Sequence, residues 1–135
     1  MFPWKSTQGG WDRILDLMDH FVAIEDDAQL FPKECRTCRE EFQSFSEFFR
    51  QTSPKEHVFE DCSKTMKRPY TMIYRHCTCG NTLVLVLTEK TFPQLNELWS
   101  LIRDVSEETG IPLSTLVEKF ARELERYVML RRISK

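Results

Sequence analysis

Long apolar runs are missing from this chain. The longest uninterrupted aliphatic stretch, Leu83 to Leu87, has five residues, whereas a membrane helix needs about 20. No membrane partner is expected. The opening residues Met1-Phe2-Pro3-Trp4-Lys5 lack a basic leader followed by an apolar segment. That argues against a secretory signal and for a cytoplasmic protein. Glycine and proline are scarce, at four and six residues, which argues against long disordered or low-complexity tracts. No internal repeat is visible. No Ser-His-Asp order, phosphate-gripping glycine loop or H-E-x-x-H motif occurs, so nothing marks an enzyme. An excess of one charge is also lacking. The formal net charge is −2, which excludes the chain as a whole as a polyanion binder. The halves differ: residues 1–60 carry seven basic against twelve acidic side chains, and residues 61–135 carry twelve against nine.

What the chain does have is aromatic residues and paired cysteines. Ten Phe and three Trp among 135 residues suffice for a core in one domain. Trp11, Ile14, Leu15, Met18, Phe21 and Val22 follow helical spacing and predict a helix from about Trp11 to Ala28, after a Gly9-Gly10 breaker. Ser44 and Glu47 form a capping box opening a short helix through about Gln51, with Phe42, Phe45 and Phe49 on one face beside Phe48. This cluster reads as a miniature core shielding the nearby cysteines. Residues 52–69 read as loop, with one short strand around His57 to Glu60. Residues 70–75 and 81–88 read as two strands of a hairpin. A capping box at Thr91-Phe92-Pro93-Gln94 leads into a helix with Leu95, Leu98, Trp99, Ile102 and Val105 on one face. Gly110 is its natural stop. Thr115 and Glu118 form a third capping box, opening a last helix through Leu116, Phe120, Leu124, Tyr127 and Val128.

The cysteines carry the chemistry. Cys35 and Cys38 stand in Cys35-Arg36-Thr37-Cys38, and Cys77 and Cys79 in Cys77-Thr78-Cys79-Gly80. In a reducing compartment, such pairs are more often metal ligands than disulfides. The total of five leaves one unpaired. Soft, charged sulfur donors suit Zn²⁺, and two close pairs supply one tetrahedral site. Gly80 suits a turn that needs positive φ or close approach to the ion. His57, Cys62 and His76 are alternate ligands; the strand direction at His76 turns its ring away. His20 has no evident metal partner. A four-thiolate site leaves no open position, so a structural role is favoured over a catalytic one. Iron in the same cage would make a rubredoxin-like electron carrier, but those are small and much of this chain reads as helix.

Through Cys35, Cys38, Cys77, Cys79, Gly80 and the strand after them, residues 33–88 resemble zinc-ribbon and treble-clef zinc domains. The 38 residues between Cys38 and Cys77 exceed a minimal ribbon, and the second pair is C-x-C. The resemblance implies a structural metal and a domain that binds nucleic acid or another protein.

The expected fold is therefore α+β in a single domain over 1–135. An N-terminal helix (1–32) and a C-terminal helical pair (91–135) flank a zinc-bearing β-hairpin unit (33–90). The expected function is a non-enzymatic zinc protein that binds another protein or itself. Residues 105–116 also resemble a helix-turn-helix, which makes a DNA-binding regulator an alternative. Glu118, Glu123 and Glu125 dilute Lys119, Arg122 and Arg126 there. A redox thiol at Cys62, its pKa depressed by Lys64, Lys67 and Arg68, is a further alternative.

Overall fold

Nine buried phenylalanines set the architecture. They belong to a computed structural model that describes residues 3–131, without the side chains at 3–9, 55–57 and 131. The rings form one connected series of contacts. Phe42 meets Phe48, which meets Phe49; Phe49 stacks near Phe45 at 4.7 Å, and Phe45 reaches Phe21. Phe21 then touches Phe92 at 4.6 Å and Phe120, which meets Phe59 edge-on. The cluster expected to shield only the cysteines is thus one end of the whole core. Aromatic pairs at these spacings each add about 0.5–1.5 kcal/mol beyond area burial.

The fold is α+β. Helix α1 (Pro3–Asp16) continues as a 3-10 helix (Leu17–Ile24). A two-stranded hairpin, β1 (Lys33–Glu34) and β2 (Glu41–Phe42), precedes α2 (Phe45–Gln51). Then come β3 (Ser53–Asp61), the short α3 (Ser63–Met66), β4 (Tyr70–His76) and β5 (Thr82–Thr88). The long helices α4 (Leu95–Thr109) and α5 (Leu113–Arg131) close the chain. Strands β3, β4 and β5 form one antiparallel sheet in that order. Alternation along β4 and β5 points Thr71, Ile73 and Arg75 and Leu83, Leu85 and Leu87 to the core.

Several local expectations are corrected. Gly9-Gly10 does not break the first helix; it lies inside α1. A Cβ on Gly10 would come within 3.0 Å of Val105 Cγ2, so glycine lets α1 and α4 approach closely. Of residues 52–69, read as loop with a short strand around His57 to Glu60, Ser53–Asp61 form a nine-residue strand and Ser63–Met66 a short helix. Pro54 is tolerated because β3 is an edge strand with a register shift between Pro54 and Phe59. Thr91 caps no helix; its N–H and hydroxyl both bond Thr88 O, tightening the turn after β5. Helix α5 opens at Leu113, so Thr115 lies within it. Ser44 does cap α2, accepting from the Glu47 N–H at 3.1 Å. The buried Glu25 carboxylate reinforces that helix start, accepting from the Ser46 N–H and hydroxyl.

One buried charge ties the layers together. Arg75 on β4 is fully enclosed. Its guanidinium donates to Thr52 Oγ1, Thr52 O, Phe49 O and both carboxylate oxygens of Glu125, and lies 4.1 Å from the Phe49 ring centre. β4, the end of α2 and α5 therefore meet at one side chain. Breaking a buried pair leaves an uncompensated charge and costs about 3–5 kcal/mol. Glu125 and Glu123 are equally exposed, at 29% and 30%, but the partner of Glu123 is the exposed Arg126. Urea unfolding should show Glu125→Ala losing about 3–5 kcal/mol, against about 0–1 kcal/mol for Glu123→Ala.

Candidate metal centre

Two hairpin tips build the site, one per cysteine pair. The tip joining β1 to β2 is closed by Cys35 N–H donating to Glu40 O and Arg39 N–H to Cys35 O. The tip joining β4 to β5 is closed by Cys77 N–H to Asn81 O and Gly80 N–H to Cys77 O. The residue after the second cysteine takes positive φ in both, 70° at Arg39 and 94° at Gly80. The next amide, of Glu40 or Asn81, points at the sulfur of that second cysteine. The tips thus match despite their different cysteine spacing. The positive φ at Gly80 was legible as glycine; its counterpart at Arg39 carries no such mark.

The two tips face each other. Cys35 Sγ lies 3.7 Å from Cys79 Sγ, and Cys38 Sγ lies 3.5 Å from Cys77 Sγ. All four sulfurs fall within 4.8 Å of one another. A disulfide needs about 2.05 Å, so these are free thiols. Four sulfurs about 2.3 Å from a tetrahedral ion sit about 3.8 Å apart. Cys35 and Cys77 are buried in the core, while Cys38 and Cys79 reach the surface. The cluster therefore has the donor set and spacing to hold one metal ion at the edge of the core.

The amides around the sulfurs already favour negative charge. N–H groups of Cys38 and Thr37, with the Asn81 side-chain amide at 3.7 Å, outweigh burial and draw Cys35 from 9.0 down to about 6. Cys38 goes the other way, to about 12. The Glu40 amide pulls it down, but the Cys77, Cys35 and Cys79 sulfurs and desolvation outweigh that pull. At Cys79 the Asn81 amide is likewise overcome by desolvation and by the sulfurs of Cys35 and Cys77. One thiolate forms readily at Cys35, while Cys38 and Cys79 are held protonated. A cation bound among the sulfurs would offset that conflict by supplying positive charge.

The other candidates lie elsewhere. Among the described residues, only Cys35, Cys38, Cys77 and Cys79 group as metal-ligating side chains, so Cys62, His76 and His20 are not part of the cluster. His57's side chain falls outside the described residues. Asn81 is the contributor that sequence reasoning missed; its only signal is its place just after Cys79-Gly80.

Compared with protein-family models, curated proteins and solved structures, the chain matches none.

Cys62 reverses an expectation. Half-buried before α3, its thiol is raised above 9.0 by burial and by Glu60 and Asp61. The basic residues nearby do not activate it. Iodoacetamide at neutral pH should therefore alkylate Cys62 more slowly than a free cysteine in a model peptide. Faster modification would contradict this placement.

Proposed function

We propose that this chain is a non-enzymatic zinc protein, in which one Zn²⁺ bound by Cys35, Cys38, Cys77 and Cys79 locks two hairpins and presents the surrounding surface to a macromolecular partner. The observation that carries this reading is the sulfur cluster itself, with cross-hairpin spacings of 3.5 and 3.7 Å. Four thiolates complete a tetrahedral shell and leave no position for water or substrate, which favours a structural ion. The thiolate set also accepts iron, so the metal's identity rests on zinc's fit to closed structural sites.

A protein partner, or a second copy, suits the surface better than DNA. On α5, Arg122 and Arg126 sit beside Glu118 and Glu123, and Lys119 lies over the Trp11 ring. Those cations are engaged within the molecule, which weakens the case for a phosphate-binding face. No described helix is long and apolar enough to cross a membrane.

Metal analysis of the purified protein should find one zinc per chain and no visible iron–thiolate absorption. Stripping the metal, or Cys77→Ser, should lower the melting midpoint by about 10 °C or more, because metal binding contributes to folding. An unchanged melt after complete metal removal would defeat the structural role. Duplex DNA should show no salt-sensitive shift in fluorescence anisotropy on adding the protein. A shift that weakens with salt would favour the regulator reading.

A further inference from the structure

The two edges of the main sheet differ sharply. The β3 edge carries Pro54, a register shift and the charged residues Glu60 and Asp61. These are devices by which proteins keep strand edges from pairing. The β5 edge has none. Its seven residues pair with β4 in unbroken register and hold no charge, proline or glycine.

Backbone directions show which groups face outward. Cys77 N–H donates to Asn81 O, so the odd residues of β5 face β4. Thr88 N–H and C=O instead bond Thr91 and Phe92, away from β4. The bond from Cys62 N–H to Tyr70 O agrees, since it turns the even residues of β4 toward β3. By the same alternation, Val84 and Val86 turn their N–H and C=O groups off the sheet's edge. Their side chains are half-buried on the sheet face opposite the helices, paired with Tyr74 and Met72.

The strand is also a palindrome: Thr82-Leu83-Val84-Leu85-Val86-Leu87-Thr88 reads alike in both directions. We infer that β5 pairs antiparallel with β5 of a second copy, about a two-fold axis at Leu85, making one continuous sheet across a homodimer. This rests on the reading of the chain as a macromolecule-binding protein and names the partner. The two-fold places Val84 opposite Val86 of the second copy and Leu83 opposite its Leu87; the pairing stops short of Thr88, whose outward groups already bond Thr91 and Phe92. Outward N–H and C=O groups of Val84 and Val86 then exchange hydrogen bonds across the axis. Each Val lies beside a Val on the outer face, extending the apolar stripe of Met72, Tyr74, Val84 and Val86. Beyond the strand, the chain turns at Thr88 and Glu89 is paired with Arg68 of its own chain. Such an isologous contact closes at two copies, because it consumes the one unguarded edge of each.

The test is sedimentation of the metal-replete protein from about 1 µM to about 1 mM, with hydrogen exchange at Val84 and Val86. Dimerisation is expected, with those amides protected at high concentration and exchanging freely on dilution. Val86→Lys should give a monomer throughout, with circular dichroism and zinc content retained. Val84→Pro should do the same, since that N–H takes no part in the β4 ladder. If Val84→Pro misfolds, Val86→Lys and wild-type exchange still decide. A wild type monomeric at about 1 mM overturns the proposal, and leaves the edge to a strand of another protein. A dimer that survives Val86→Lys, or leaves Val84 and Val86 unprotected, overturns it as well. Zinc content is read in the same samples, so failure to dimerise and failure to bind metal are told apart.

Discussion

Four sulfurs from segments 44 residues apart must meet at the spacing of a tetrahedron's corners. Everything near them serves that constraint. Each tip is closed by its own backbone bonds and aims amides at its sulfurs. Setting the tips against each other is the harder problem, and Arg75 bears on it. It lies two residues before Cys77 on the same buried face of β4, and it grips the C-terminal end of α2 through Phe49 O and Thr52. Helix α2 begins just after β2, anchored by Ser44 and Glu25. A chain of bonded groups thus runs from one cysteine pair to the other without passing through the metal.

That chain carries an energetic cost. Removing a guanidinium from water costs several kcal/mol, and the return comes from Glu125, two carbonyls, a hydroxyl and the Phe49 face. A buried ion pair is weak grounds for added stability. Its contacts are geometric as well as energetic, since one guanidinium joins β4, the end of α2 and α5. No buried side-chain nitrogen or oxygen among the described residues lacks a partner, which suits a polar knot set inside an aromatic core. A metal ion bound by the four sulfurs would add one more tie between the two hairpins.

Much of this was legible in the chain. The cysteine spacing, the Ser44 cap, Gly80, Gly110 and the apolar faces of the two long C-terminal helices follow local rules, and local rules read well from sequence. What escaped depends on distant neighbours. Gly10 looked like a breaker because Val105, which needs its missing side chain, is 95 residues away. Pro54 hid β3 because nothing local shows that the strand lies at an edge. Alternation put Arg75 on the buried side of β4, yet a charge there makes sense only once Glu125 and the end of α2 are seen beside it. The small hairpin around the first cysteine pair was not read at all, because its two strands have two residues each.

In the proposed centre, one zinc ion is held by these four sulfurs and by nothing else. X-ray absorption at the zinc edge of the purified protein measures that shell directly. A single shell of four sulfurs at about 2.3 Å, with no nitrogen or oxygen scatterer, is the predicted result. A shell containing nitrogen or oxygen at about 2.0–2.1 Å would contradict it, since a ligand from outside the cluster would then complete the site.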